Sequence, residues 1–297
     1  MTMGLFFQHL VNGISLGSLY ALIAIGYTMV YGIVRLINFA HGDIIMLAAY
    51  FVFFGVGMFS LPWWLAAFIS VMLTVVAGIV IERAAYKPLR EAPRISVLIS
   101  AIGVSFFLEN MGLVVFGGRA KAFYTPPIFK GVIVVAGISV PTLAMIIPLI
   151  SAVLLLGMIY IVNHTTTGMA MRACSKDMDT ARLMGIDVDK ILSFTFGIGS
   201  SLAAVGGIMW ALKYPQIHPL IGIMPGLKCF IAAVVGGIGN IPGAMLGGFI
   251  LGLGEILLVA FLPDLSGYRD AFAFIILIII LLFKPTGILG EKVAEKV

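Results

Sequence analysis

Three carboxylates stand out because apolar sequence surrounds them. Asp43 lies at the start of one apolar segment, Glu109 within a second and Glu255 within a third. A charge at membrane depth costs about 2.5–3.5 kcal/mol on insertion scales, so it usually faces a cavity or a partner. Glu109 and Glu255 are therefore candidates to line a polar pathway; alternatively, they lie near a membrane boundary or make hydrogen bonds between helices.

Two polar, glycine-containing interruptions divide the apolar sequence, at 38–43 and at 236–242. A broken helix frees backbone groups that a cavity, water or protein must satisfy, and paired breaks in two halves are typical of a transport site at a repeat interface. We expect the two segments to face each other or a partner near a translocation path that includes Asn38, His41, Asp43, Gly237 and Asn240. Alternatively, each interruption is a turn that caps two helices.

The polar segment 164–190 lies between two apolar spans and carries basic residues. Arg172, Lys176, Arg182 and Lys190 make it typical of a cytoplasmic loop. Within it, Asp177 or Asp179 can cap the start of a short helix and Gly185 can end it. We expect this exposed helix either to dock a partner or to lie on the bilayer surface.

The motifs that would indicate catalysis are missing. The sequence has no GxxxxGK[ST] phosphate loop, HExxH, CxxC or GxSxG, and its four histidines are scattered without metal-ligand spacing. Cys174 and Cys229 are expected to be free thiols. We therefore predict no enzyme activity, no metal and no cofactor, and the absence of an aromatic-interleaved basic patch argues against nucleic acid as a partner.

Composition places the chain in the membrane. Hydrophobic residues make up 61% and charged residues 10% of the sequence, against roughly 45–50% and about 25% in soluble domains. We predict an all-α polytopic membrane protein with residues 1–297 in a single transmembrane domain. Stretches of about twenty apolar residues occur near 8–34, 42–60, 63–82, 95–116, 141–163, 191–212, 222–238, 242–262 and 269–284.

Basic residues predict the orientation of these segments. The 83–94 and 164–190 loops and the tail with Lys284, Lys292 and Lys296 are expected inside. Eight to ten segments, with broken helices, are compatible with the sequence, and nine crossings put the N-terminus in the periplasm and the C-terminus in the cytoplasm. No Lys or Arg precedes Arg35, so the first segment is predicted to be a retained span and not a signal peptide.

The outside segment 117–140 has a different pattern. Val132–Val135, Ala136-Gly137 and Ile138–Val140 predict a small periplasmic β-hairpin. The hairpin either caps the outer mouth of the protein or serves as a connector.

Three motifs, taken in order, resemble permease subunits of ABC importers for branched-chain amino acids. They are VRLINFAHGDIIMLAAY, GMAMRACSKDMDTARLMGIDVDK and VVGGIGNIPGAMLGGFILG, and the resemblance, closest to the shorter LivH-type subunit, covers essentially the whole chain. ABC permeases carry a Glu-Ala-Ala-xxx-Gly motif in a cytoplasmic loop. Asp179-Thr180-Ala181-xxx-Gly185 matches its spacing, whereas the downstream Ile-x-Leu-Pro part is not matched.

The resemblance implies that this helix rests in a groove on an ATPase subunit and couples its closure to the membrane domain. Ala181 and Gly185 are four residues apart and would form a face without bulk that permits close approach. The resemblance assigns ATPase coupling to Asp177, Asp179, Ala181, Arg182 and Gly185.

The same resemblance implies a bacterial inner (plasma) membrane location and several partners. These are a second homologous permease subunit, two ATPase subunits that hydrolyse ATP, and a periplasmic solute-binding protein that delivers Leu, Ile or Val. Related permeases carry urea or short amides, and the sequence does not exclude these as substrates of this chain. A self-contained secondary transporter would need coupling carboxylates in its spans, and only Glu109 and Glu255 lie deep enough.

Overall fold

Helices dominate the computed structural model, which describes residues 3–90, 92–135 and 138–290. In this part of the chain the α-helices are α1 (Met3–Val34), α2 (His41–Gly57), α3 (Trp63–Ile81), α4 (Arg94–Phe116), α5 (Thr142–His164), α6 (Thr166–Lys176), α7 (Met178–Leu183), α8 (Val188–Lys213), α9 (Ile223–Gly236), α10 (Ile241–Phe261) and α11 (Arg269–Phe283). Each predicted apolar segment overlaps one of the helices α1–α5 and α8–α11, and α6 and α7 lie in the 164–190 segment. The all-α polytopic membrane fold is confirmed.

Helix lengths divide the apolar helices into two groups. Within the described residues, seven helical stretches are long and apolar enough to cross a membrane, whereas α2 and α9 are shorter. With 17 and 14 residues, these two helices extend about 26 and about 21 Å, less than the roughly 30 Å of a hydrocarbon core. Pro225 and Gly226 lie in the first turns of α9, so they do not interrupt it.

Two contacts at opposite ends of α1 define the two ends of the molecule. Gln8 Nε2 donates to the carbonyl of Ser139 at 3.1 Å, and Arg35 donates to the carbonyl of Ser175 at 3.4 Å. Ser139 belongs to the β-hairpin and Ser175 to α6. The two ends are called the hairpin end and the loop end below.

Four short strands form two pairs. They are β1 (Lys121–Ala122), β2 (Val132–Val135), β3 (Ile138–Pro141) and β4 (Gln216–Ile217). The predicted hairpin is confirmed, because β2 and β3 pair antiparallel with Ile133 opposite Val140, while Ala136-Gly137 lies outside the described residues. The pairing of β1 with β4 was not predicted, and it ties the segment after α4 to the segment before α9.

Helix α1 forms the centre of the bundle and packs most closely against α10. A Cβ atom added at Gly252 would lie 2.2 Å from the backbone nitrogen of Gly17, and one added at Gly248 would lie 2.4 Å from that of Ala21. Backbones approach this closely in membranes only where both helices present small residues. The glycines of these two segments therefore hold α1 and α10 together.

The peripheral helices keep large apolar side chains exposed. On α3, α4, α5 and α11 these include Phe68, Val114, Leu156 and Leu282, each more than half exposed. Such faces suit lipid or another membrane subunit. Lys292 and Lys296, which belong to the tail predicted to lie inside, are outside the described residues.

Candidate functional site

The N-termini of the two short helices meet inside the bundle. A Cβ atom added at Gly42 would lie 2.7 Å from the carbonyl oxygen of Gly222, and one added at Gly226 would lie 2.7 Å from the Cα of Gly42. Only glycine permits this approach. From the junction α2 runs toward the hairpin end, where Lys121 Nζ lies 5.5 Å from the centroid of the Phe53 ring, and α9 runs the opposite way.

Both short helices are preceded by non-helical segments that return into the bundle. Residues 35–40 lead from the loop end of α1 to the start of α2. His41 lies beside Gly26 of α1 and its Nε2 is 3.3 Å from the carbonyl oxygen of Ile23. Residues 214–222 lead from α8 to the start of α9. The prediction of broken helices is thus confirmed for the Asn38–Asp43 segment.

A cavity of about 290 Å³ opens at this junction, between α1, α2, α4 and α9. Its polar wall contains Asn38, Asp43, Ser105 and Glu109. Ser105 Oγ donates to Asp43 at 2.6 Å, and the hydroxyl of Tyr86 donates to Asn38 Oδ1 at 2.8 Å. Two carboxylates and an amide therefore line one cavity, called the junction cavity below.

Three predicted path residues do not line the junction cavity. His41 is buried and packs edge-on against Tyr27, with 5.5 Å between ring centroids. Gly237 has φ +115° and lies against the backbone of Gly290. Asn240 caps α10, because its Oδ1 accepts from the Gly243 amide at 2.9 Å.

The two polar interruptions do not face each other within this chain. Gly42 and Gly226 meet at the start of α9, and Gly236 lies at its other end, about 15 Å away along ten residues of helix. The 236–242 segment packs against Gly32 at the loop end of α1 instead. Of the two expected arrangements, mutual facing within the chain is not found, because a helix separates the two segments; that they face a partner stays a prediction.

The 236–242 segment lines a second cavity, of about 550 Å³, at the loop end. Asn240 contributes to its wall, and its Nδ2 donates to the carbonyl of Leu289 at 2.9 Å. The Asn240 side chain therefore accepts a hydrogen bond as a helix cap and donates another to Leu289, and Asn240 also contributes to the cavity wall.

Helix α7 has the caps that the sequence predicts. Asp177 Oδ1 accepts from the amides of Asp179 and Thr180 at 3.0 and 3.1 Å. Gly185 adopts φ +83°, and its amide donates to the carbonyl of Arg182 at 3.0 Å. The local sequence thus determines where this short helix starts and stops.

The two residues of the predicted small face of α7 do not share a face, because Gly185 lies beyond the end of the helix and is exposed. Ala181 is only 3% exposed and packs into the protein core, so it cannot contact a partner directly. The side chains that α7 presents are Leu183, 88% exposed, and Met184, 78% exposed. The four-residue spacing therefore does not produce one small face: Ala181 packs into this chain, and nothing lies within 4 Å of a Cβ atom added at Gly185.

A polar cluster anchors α8 to the end of α3. Arg90 donates to Glu82, in the π-helix 82–86, and to Asp189, in the first turn of α8. Ser193 Oγ donates to the same Glu82 carboxylate at 2.8 Å. Residues 184–187 join α7 directly to α8, so a displacement of α7 would be passed through this cluster to the segment that carries Tyr86.

The pKa values of Asp187 and Cys174, which lie near α7, are shifted from their usual values. Hydrogen bonds from Lys190 lower the pKa of Asp187, which caps α8, so this cap is present at neutral pH and is lost as the pH falls through that lowered pKa. Burial raises the pKa of the Cys174 thiol, and the charge of Arg182 opposes this only partly. Cys174 is therefore a weak nucleophile at neutral pH.

Glu255 is held in an ion pair that sequence analysis missed. Lys228, in α9, lies 3.0 Å from both of its carboxylate oxygens, and the hydroxyl of Tyr20 donates to it at 2.9 Å. Asp270 of α11 lies 2.7 Å from the same Lys228 Nζ. Glu255 thus makes hydrogen bonds between helices, and the signal for this was a single lysine within the apolar 222–238 segment.

Comparisons with known proteins agree with this architecture. The profile of the family described as "Branched-chain amino acid transport system / permease component" matches residues 9–281. The chain is 43% identical to the high-affinity branched-chain amino acid transport system permease protein BraD of Pseudomonas aeruginosa and to LivH of Escherichia coli K12, covering 98% of each chain. No solved structure matches the chain.

A more distant relative extends the same similarity to archaea. The chain is 28% identical to a probable branched-chain amino acid transport permease protein LivH of Methanocaldococcus jannaschii, over 95% of this chain and 91% of the relative. Together with the profile match, these similarities show that the chain is a multi-pass membrane protein of the branched-chain amino acid transport permease family, and not an enzyme.

Proposed function

We propose that this chain is one of two permease subunits of an ATP-driven importer that carries leucine, isoleucine and valine. The observation that carries the proposal is the 43% identity, over 98% of the chain, to two proteins named as permeases of high-affinity branched-chain amino acid transport. In this arrangement a second homologous permease completes the path, two ATPase subunits supply energy, and a periplasmic binding protein delivers the substrate.

The orientation of the proposed complex follows from the basic loop. Segment 164–190, with α6 and α7, is the cytoplasmic coupling loop, so the loop end faces the cytoplasm and the hairpin end faces the periplasm. The N-terminus is then periplasmic, the C-terminus is cytoplasmic, and the membrane is the bacterial inner (plasma) membrane. The hydrogen bond from Arg35 to Ser175 supports the placement of α6 at the same end of the molecule as the C-terminus of α1.

In this proposal the ATPase contacts the exposed rim of α7. Leu183 and Met184 form an apolar tip, and Asp179 and Arg182 flank it with side chains 91% and 50% exposed. Asp177 and Gly185 act by fixing the ends of the helix, and Ala181 by anchoring it to the body. An apolar tip with a charged rim is the usual composition of a docking site.

The translocation path in this proposal includes the junction cavity with Asn38 and Asp43. His41 supports the path from behind through its contact with Tyr27. Gly237 and Asn240 shape the cytoplasmic end of the path, because the 236–242 segment lines the cavity at the loop end.

Uptake of radiolabelled leucine into proteoliposomes tests the proposal. The permease is reconstituted with the second permease, the ATPases and the binding protein, and uptake is expected only with ATP inside. Urea and acetamide, offered in excess, are expected not to compete. Transport that needs no ATP, or competition by urea, would contradict the proposal.

The docking site is tested by co-purification. Met184→Asp is expected to abolish recovery of the ATPase with the permease, because it places a charge in an apolar contact. Ile128→Asp is the matched control, since Ile128 is also exposed, at 70%, but lies in the 3₁₀ helix 127–129 near the hairpin end. Equal ATPase recovery with both variants would exclude the α7 tip as the docking site.

A further inference from the structure

The junction cavity has an electrostatic asymmetry that a ligand could use. Each helix N-terminus carries about half a positive charge, and α2 and α9 bring two of them together at Gly42 and Gly226. Asp43 lies in the first turn of α2, whereas the first turn of α9 has no acidic residue. The N-terminus of α9, whose Ile223 lines the cavity, is therefore left without a carboxylate of its own.

The opposite wall carries two carboxyl groups without a cation beside them. Asp43 and Glu109 both line the cavity. Among the described residues, neither carboxylate forms an ion pair with Lys, Arg or His. Ser105 donates one hydrogen bond to Asp43. A ligand with an ammonium group would supply the missing positive charge.

A buried hydroxyl in the wall also lacks a partner. Tyr27 is 3% exposed, lines the cavity, and has no hydrogen-bond partner for its hydroxyl in the part of the chain that the structure describes. Buried hydroxyl groups in folded proteins are nearly always hydrogen-bonded. The Tyr27 hydroxyl itself is enclosed, so it can serve a ligand in the cavity only after a small shift of this wall.

The remaining wall is apolar. Four large side chains complete it, namely Ile102, Phe106, Leu227 and Phe230. The volume of about 290 Å³ lies at the small end of the range of ligand cavities, roughly 300–1,000 Å³. A compact ligand with an aliphatic side chain suits this wall and volume.

We infer that the junction cavity is a binding site for a free aliphatic α-amino acid in transit, with its ammonium group at Asp43 and Glu109 and its carboxylate directed toward the N-terminus of α9. The inference rests on the proposed function and adds a site to it. It also separates substrates, because urea and short amides carry no ammonium group to occupy the acidic wall.

Occupancy of the cavity is tested by protection from alkylation in the reconstituted complex. Phe106→Cys places a thiol in the wall, and Phe107→Cys is the matched control, because Phe107 is the next residue of α4, is similarly exposed and does not line the cavity. The native Cys174 and Cys229 are both buried, so background labelling is low. Saturating L-leucine is expected to slow alkylation several-fold at position 106 only. Ile102→Cys serves as a second position in the wall.

The acidic wall is tested by Glu109→Gln, with Asn110→Ala as the control on the same helix. Glu109→Gln is expected to reduce leucine uptake about tenfold, with assembly of the complex unchanged. If the unsubstituted complex takes up leucine, either of two results contradicts the site alone. One is that leucine slows alkylation equally at positions 106 and 107, and the other is that Glu109→Gln shows full uptake. Absence of uptake by the unsubstituted complex contradicts the proposed function and the site with it.

Discussion

Lys228 Nζ lies 3.0 Å from each carboxylate oxygen of Glu255, and this pair joins a half-length helix to the rest of the bundle. The side chains are 8% and 7% exposed. Removing one partner of a buried pair leaves an uncompensated charge, at a cost of about 3–5 kcal/mol. Because Tyr20 and Asp270 belong to the same network, the pair connects α1, α9, α10 and α11.

We therefore expect Lys228→Met to lower the melting temperature of the purified permease markedly. The double variant Lys228→Met/Glu255→Met should recover part of the loss, because it buries no unpaired carboxylate at 255. Lys130→Met, at an exposed position, should have no effect. Thermal unfolding in detergent measures all three, and a single variant as stable as the unsubstituted protein would show that the pair does not hold α9.

The second prediction concerns the contact between α1 and α10. Gly252→Ala places a Cβ atom 2.3 Å from the Cα of Gly17, so the two helices must separate and the permease should lose stability by about 1–3 kcal/mol. Gly103→Ala is the control, because nothing lies within 4 Å of a Cβ atom at that position of α4. It should be neutral or stabilising by up to about 1 kcal/mol. Both are measured by thermal unfolding, and equal melting temperatures would contradict the packing argument.

The third prediction concerns orientation and uses exposed positions at opposite ends. With α7 in the cytoplasm, Met184→Cys should react with a membrane-impermeant thiol reagent only in inverted vesicles. Tyr124→Cys, at a position 53% exposed near the hairpin end, should react in intact cells. Cys174 is buried and its pKa is raised by burial, so it should remain unlabelled from either side and cannot report orientation. The reverse labelling pattern would invert the proposed topology.

Local sequence signals predicted local structure well. The apolar runs predicted the helices, residues 132–140 predicted the hairpin, and Asp177 and Gly185 predicted the ends of α7. Each of these features depends on neighbouring residues alone. The meeting of Gly42 with Gly222, and the inward direction of Ala181, depend on contacts between distant segments. A spacing of four residues defines a helix face, but it does not say what that face contacts.

The last prediction follows the contacts from α7 to the junction cavity. Arg90 joins Asp189, at the base of α8, to Glu82 in the π-helix after α3. Four residues further along that π-helix, the Tyr86 hydroxyl donates to Asn38 in the cavity wall at 2.8 Å. If ATPase closure moves α7, this chain of contacts passes the motion to the cavity, and the Tyr86 hydroxyl is its last polar step.

Tyr86→Phe removes that step and keeps the ring, which packs 5.3 Å from Phe196 between centroids. We expect the variant to assemble normally and hydrolyse ATP, while leucine transported per ATP falls about two- to thirtyfold, the range that corresponds to coupling changes of about 0.5–2 kcal/mol. Tyr160→Phe is the control, because Tyr160 is 63% exposed on α5 and lines neither cavity. An unchanged ratio of transport to hydrolysis in Tyr86→Phe would mean that the motion reaches the junction cavity by another route, through α8 packing or through the second permease.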